Sequence, residues 1–330
     1  MNNKVIIMKS MKLTLLVLAI TLAIQSKAQK DWSKVDFDKE YKRSSTIKGG
    51  AAKLLSKNKT FIAGYTISQA TEMKGSETSS ALQSGSPKSV FAEAELGGIN
   101  REDYQQMVDK LYQDLVKELT AAGLNITKGD EIIASSYAQK QLAKGDKKIY
   151  IGTSGENPSY EGKRKLTDGS ILGYPTWAVI RDLSFPPTNT NYYSTSKLVY
   201  GNFYQKLAES EACNLLYVNF KITFAYFDGG KGYKDVKLAT KPAIAVKATV
   251  GLANAKGGGQ ILYKKDVWGS GAWVKEMGKT KDNQSSADFF GLARSADYAI
   301  IANSDDYLSE VNAIISNLQK DIVKGIKESL

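Results

Sequence analysis

The sequence predicts a single α/β (α+β) domain built on a mixed sheet with long antiparallel strands, with helices packed on it. Three observations carry this prediction. Leu216, Val218, Phe220, Ile222, Phe224 and Tyr226 alternate with Tyr217, Asn219, Lys221, Thr223 and Ala225, and Ile244, Val246, Ala248, Val250 and Leu252 alternate with Ala245, Lys247 and Thr249. A period of two is that of a half-buried strand. Tyr104, Met107, Val108, Leu111, Leu115 and Leu119, and later Leu308, Val311, Ile315, Leu318 and Ile322, recur at helical spacing, the pattern of a helix with one face on a core. Lastly, 330 residues at 42% hydrophobic and 24% charged match a folded chain, and one domain of roughly 270 residues can bury about three-quarters of its unfolded surface.

At the N-terminus, Lys4, Lys9 and Lys12 precede an apolar stretch from Leu13 to Ile24, followed by Gln25-Ser26-Lys27-Ala28. A basic lead, a short apolar core and small residues at −3 and −1 of a cut after Ala28 are the parts of a secretory signal peptide. The core is about 12 residues, too short for a transmembrane helix. Residues 1–28 are therefore read as a cleaved leader, and the mature chain is expected to be periplasmic or extracellular, with peripheral outer-membrane association as a variant and no transmembrane helix. Four lysines and no acids leave with the leader, so 41 basic and 34 acidic side chains remain and the net charge falls from +11 to +7.

Residues 29–57 read as a polar lead-in to a domain at 58–330. Thr60–Ile67 is a β-prone run suited to a covered sheet, and 69–98, rich in Ser, Thr, Gly and Glu, reads as a loop insertion. Asn100 is placed to cap a helix with Glu102 and Asp103 in its first turn and Gly123 as its stop. Residues 124–134 have β character and 135–144 form a short amphipathic helix. A second insertion, 146–191, holds glycines at 152, 155, 162, 169 and 173 and prolines at 158, 175, 186 and 187, with a strand over 176–185. Ser196–Glu211 reads as a helix. The two long alternations follow, with a hairpin at about 243–268 turned by Gly257-Gly258-Gly259. The chain closes on an amphipathic helix capped by Ser304 or Asp305.

Composition excludes several chemistries. There is no histidine, which removes Ser-His-Asp and Cys-His catalysis and imidazole proton shuttles. One cysteine, Cys213, allows no internal disulfide and no cysteine-cluster metal site; beside Leu215 and Leu216 it reads as a buried thiol. Lysines are dispersed rather than blocked, which argues against a nucleic-acid partner. Ser45/Lys48, Ser56/Lys59 and Ser194/Lys197 have Ser-x-x-Lys spacing without the accompanying motifs of that chemistry. Gly278-Lys279-Thr280 has Trp273 where a phosphate loop needs glycine. Asp228-Gly229-Gly230-Lys231-Gly232 sets a lysine where a calcium ion would sit. Glu93/Glu95 and Asp305/Asp306 are adjacent carboxylates of the kind found on solvated loops and helix starts. No catalytic, cofactor-binding or metal residue is assigned.

Aromatics are the candidate partner contacts. Tyr192, Tyr193, Tyr200 and Tyr204 bracket a helix start, and Trp268 and Trp273 flank Gly269-Ser270-Gly271; exposed aromatics beside glycine loops suit glycan stacking or a protein interface, with core and rim packing as the plainer alternative.

The run from Leu207-Ala208-Glu209-Ser210-Glu211-Ala212-Cys213-Asn214 through Leu215–Phe227, Ala243–Asn254, Ala255-Lys256-Gly257-Gly258-Gly259, Gln260–Trp268 and Gly269-Ser270-Gly271 to a terminal helix resembles the periplasmic module of the curli-secretion-channel lipoprotein family and of the amino-terminal domain of the Tol-Pal translocation protein. Asn254 stands where that family tends to have Asp, Lys256-Gly257 replaces its Thr-Gly step, and the lipid-acceptor cysteine is missing. The resemblance implies an envelope-located binding or assembly module. The function expected is a non-enzymatic exported protein binding an envelope protein or an anionic or glycan polymer, with homo-oligomerisation among the options. The alternatives are a secreted carboxylate-dependent glycan hydrolase and an oligomeric secretion-channel subunit.

Overall fold

The computed structural model describes residues 30–45, 47, 58–78, 89–127, 131–132, 134–143, 160–166, 177–188, 203–231, 236–279 and 298–329. The expected leader, the tyrosines at 192, 193 and 200, and the middle of both expected insertions lie outside them.

Along Trp32–Leu330 a 3-10 turn (Trp32–Lys34) leads to α1 (Phe37–Glu40) and β1 (Arg43–Ser45). Then come β2 (Thr60–Thr78), β3 (Ser89–Gly97), α2 (Arg101–Ala121), β4 (Ile126–Thr127), α3 (Ser136–Ala143), β5 (Tyr160–Leu166) and β6 (Trp177–Phe185). The second half holds α4 (Phe203–Ser210), β7 (Asn214–Lys231), β8 (Val236–Asn254), β9 (Gly257–Tyr263), β10 (Val267–Trp268), β11 (Val274–Lys279), β12 (Tyr298–Ala302) and α5 (Ser304–Lys327). Among the described residues the strands form one mixed sheet of twelve, with the order β1-β9-β8-β7-β2-β3-β12-β11, to which β10, β4, β6 and β5 add as side pairings. The expected fold class is the one observed.

β2 is the axis of the sheet. Ile67, Ser68 and Gln69 pair with β7 in parallel on one side and with β6 in antiparallel on the other. Further along, Glu72–Ser76 pair with β6 and β3, so β7 gives way to β3 along one edge. Thr78 pairs with Ser89, Leu166 with Ala178, and Lys231 with Val236. These three pairs of strand ends therefore lie at one end of the sheet, and the β8–β9 turn lies at the other.

Helices α2 and α5 cover one face. Tyr104, Val108, Leu111, Leu115 and Leu119 from α2, and Tyr307, Val311, Ile315, Leu318 and Ile322 from α5, are fully buried against Ile62, Ile67, Leu216, Val218, Phe220 and Val250. Each such side chain contributes on the order of 1.5–3 kcal/mol of burial free energy. Amide and phenol groups stitch this apolar layer together. Gln69 Oε1 accepts from Tyr104 Oη at 3.0 Å and Tyr307 Oη at 2.8 Å, while Gln319 Nε2 donates to Tyr65 Oη at 2.8 Å and to the Leu111 carbonyl at 3.1 Å. On the opposite face a smaller cluster of Phe61, Ala63, Cys213 and Leu215 is covered by Ile132, Ala138, Leu207 and Ala208, from α3, α4 and the segment before them.

Four expectations are corrected. The described parts of 69–98 belong to a strand pair, because Ala92, Ala94 and Leu96 alternate with Glu93 and Glu95, the former buried in the core and Glu93 bonded to Lys74. Within 146–191 the strand expected over 176–185 is β6, and the described residues add β5, which was not expected. The lead-in is integral to the fold: Trp32, Phe37 and Tyr41 are buried with ring centroids 5.0–6.4 Å apart. Arg43 meets Asp38 at 3.1 Å, Asp321 at 3.2 Å and Glu328 at 3.1 Å, and Gly325 leaves room for its guanidinium, since an added Cβ would lie 2.5 Å from Nη1. Finally, α5 is capped by Asn303, whose amide nitrogen donates to the Trp273 carbonyl at 2.8 Å, and not by Ser304 or Asp305. The Asn100 cap is as expected, accepting from Glu102 N and Asp103 N.

Candidate functional site: a groove over the β7–β8–β9 face

The site begins at the ends of three strands. Asn214 at the start of β7 donates through Nδ2 to Thr60 Oγ1 at 3.3 Å, and Asn254 at the end of β8 donates to Asn214 Oδ1 at 3.3 Å. Asn254 Oδ1 in turn accepts from Lys256 N at 2.9 Å and shapes the two-residue turn into β9. Gly257 has φ +146°, a conformation that a side chain would disfavour, and Gly258 brings β9 close enough that an added Cβ would lie 3.0 Å from the Leu252 carbonyl oxygen. This amide clip fixes the corner where β2, β7, β8 and β9 meet.

Above that corner, on the face carrying the smaller cluster, lies a groove of about 410 Å³, within the range of roughly 300–1,000 Å³ usual for small-molecule sites. Ala63, Leu215 and Ala253 give it an apolar lining, Gly251, Gly258 and Gly259 flatten it, and Tyr217 and Gln260 supply its polar groups; Leu252 also borders it, with its side chain buried in the main core. One glycine here is not explained by the fold. Gly251 lies inside β8 without a positive φ, and a Cβ built on it would meet nothing within 4 Å among the described residues. Glycine inside a strand costs about 0.5–1 kcal/mol relative to alanine, and such a glycine often marks the close approach of another group.

The predicted contact residues sit elsewhere. Trp273 is fully buried: its Nε1 donates to the Ser270 carbonyl at 2.9 Å and its ring stands edge-on to Tyr307 at 5.0 Å. It is a core anchor and offers no surface to a partner. Trp268 is half-buried, edge-on to Tyr226 at 5.9 Å, with Lys241 over the Tyr226 ring at 5.6 Å; it does not line the groove. The loop between the two tryptophans is held by buried Glu310, which accepts from Ser270 N and from Ser270 Oγ. At Gly269 an added Cβ would press on the Glu310 carboxylate and lie 3.1 Å from Ile244 Cβ. Tyr192, Tyr193 and Tyr200 lie outside the described residues, as does the side chain of Tyr204. Sequence reading missed the groove, although the clustering of Gly251 with Gly257–Gly259 across a hairpin was available as a signal.

Asp266 is raised to about 6, by burial first, with Lys247 opposing. Cys213 is buried, as expected, and burial raises its thiol to about 11. Among the described residues no group of three or more Cys, Asp or Glu side chains could hold a metal ion, and no helix is long and apolar enough to cross a membrane. Comparison with protein-family models, with curated proteins and with solved structures gives no match.

Proposed function

We propose that the chain is an exported, non-enzymatic protein of the cell envelope that binds a protein or envelope-polymer partner as a binding or assembly module. The observation that carries this reading is the groove whose floor is opened by Gly251, a residue that neither a positive φ nor packing among the described residues requires. The lining supports recognition over reaction: its side chains offer apolar contact, one phenol and one carboxamide. The leader motif at 1–28 supports export, and the net positive charge of the mature chain suits an anionic environment.

The channel-subunit reading has one observation in its favour, the three antiparallel strand pairs whose joined ends share one end of the sheet. Against it, β5 carries Glu161, Lys163, Arg164 and Lys165 in seven residues, a poor match to the apolar-out alternation of a membrane barrel. Cell fractionation, the intact mass of the exported form and its sizing with and without mild detergent test both readings. The binding module predicts a chain beginning at Gln29, in a periplasmic or extracellular fraction, whose size is independent of detergent. A detergent-extracted ring would favour the channel, and a cytoplasmic full-length chain would overturn the export reading.

A further inference from the structure

Among the described residues Trp32 is the first buried side chain, and with Phe37 and Tyr41 it seats the lead-in on the main core. Arg43 then ties the same segment to Asp321 and Glu328 of α5. The fold is thus anchored very close to the start of the mature chain: the cut expected after Ala28 leaves only Gln29, Lys30 and Asp31 ahead of Trp32. Gln29 itself precedes the described residues, and its chemistry follows from its place in the sequence. A glutamine at a free N-terminus carries its own carboxamide within reach of its α-amine through a small lactam ring. That amine has an ordinary pKa of about 7.7–8.0, so near neutral pH a sizeable fraction of it is the neutral nucleophile.

Resting on the export reading and its cut after Ala28, we propose that Gln29 is a modification site at which the mature chain closes its own N-terminus as pyroglutamate. The α-nitrogen attacks Cδ of the same residue. The Nα–Cδ bond forms, the Cδ–Nε2 bond breaks, and Nε2 takes the proton released by the α-nitrogen and leaves as ammonia. No oxidant, reductant or second substrate enters. The lactam carries no charge, so the terminal positive charge is lost. It also removes the free amine that an aminopeptidase needs, at the place where exoproteolysis of a folded chain begins. An open end would be trimmed through Gln29, Lys30 and Asp31 and stop at Trp32, whose ring is held in the core.

The test uses the exported protein purified from cells that produce it and held at neutral pH and body temperature, beside Gln29→Ala prepared in the same way. Intact mass and the mass of the N-terminal peptide are measured before and after treatment with an aminopeptidase. The wild-type chain is expected to begin at residue 29 and to be lighter by one ammonia than its encoded sequence, with the loss in the N-terminal peptide. It should resist the aminopeptidase until a pyroglutamyl peptidase removes residue 29. Gln29→Ala should keep a free amine, lose residues to the aminopeptidase only as far as Asp31, and melt at the wild-type midpoint, because Trp32, Phe37 and Tyr41 stay seated. A wild-type chain that begins at Gln29 and keeps its amine, or that is trimmed as fast as Gln29→Ala, would overturn the proposal and leave the export reading standing. An exported chain beginning at any other residue would do the same. A full-length chain retaining residues 1–28 would overturn both.

Discussion

Trp273 shows how a single residue changes meaning once its neighbours are known. From sequence it stands beside glycines as a candidate partner contact, with core packing as the plainer alternative; in the fold it is core, filling the space between the Gly269–Gly271 loop and α5. Trp273→Ala is therefore expected to destabilise the protein by about 3–5 kcal/mol, read from the denaturant midpoint, and to leave groove binding by the surviving folded molecules unchanged. Cys213 is the opposite case, where a small apolar context was enough to read a buried thiol. With its acidity pushed up to about 11, labelling by a disulfide reagent at pH 8 should run about two orders of magnitude slower than in the denatured chain, since only the thiolate reacts. Asp266 gives a pH signature. Its folded carboxyl holds the proton up to about 6, above its ordinary range, so the folded state binds that proton more tightly than the unfolded one. Stability from this group is full below about pH 4 and is lost as the pH rises through 6, a change on the order of 2 kcal/mol. Asp266→Asn should flatten that segment of the melting-temperature profile and raise stability at pH 7.

At the scale of elements, period-two and helical patterns were legible wherever one face was apolar and the other polar, which is why α2, α5, β7 and β8 were readable. The reading failed where the core-facing positions are small. Ala92, Ala94 and Leu96 are modest side chains among serines and glutamates, so β3 passed for loop. Gln69 is polar yet fully buried, since its partners Tyr104 and Tyr307 come from helices remote in sequence. The lead-in passed for a polar tail because Arg43 finds its counter-charges nearly the whole chain away, at Asp321 and Glu328. Removing that guanidinium leaves Asp321, 6% exposed, without its cation. Arg43→Ala should cost about 3 kcal/mol, and its double-mutant cycle with Asp321→Asn should show coupling of about 0.5–3 kcal/mol. Glycines of the same sheet should respond in opposite ways. Gly269→Ala drives a Cβ into Glu310 and should lose about 1–3 kcal/mol, read as a lower denaturation midpoint, whereas among the described residues Gly251 has nothing for a Cβ to meet.

For the whole molecule, the mixed sheet with helices packed on it was legible because a chain of this length has few other ways to cover two long strands. The groove was not, because it is made at a corner where four strands converge and its floor consists of residues that lack side chains. Such a site has no motif; it exists only as register, through the pairing of Tyr217 with both Gly64 and Gly251. The measurement that bears most directly on the account is photo-cross-linking in producing cells, with benzoylphenylalanine at position 260 on the groove rim, at Lys320 on α5 as a control, and at position 260 in a Gly251→Val background. The account predicts a discrete adduct in the envelope or extracellular fraction from position 260 alone, lost when Gly251 is filled. Adducts of equal yield from Lys320, or an adduct from position 260 that survives Gly251→Val, would contradict it.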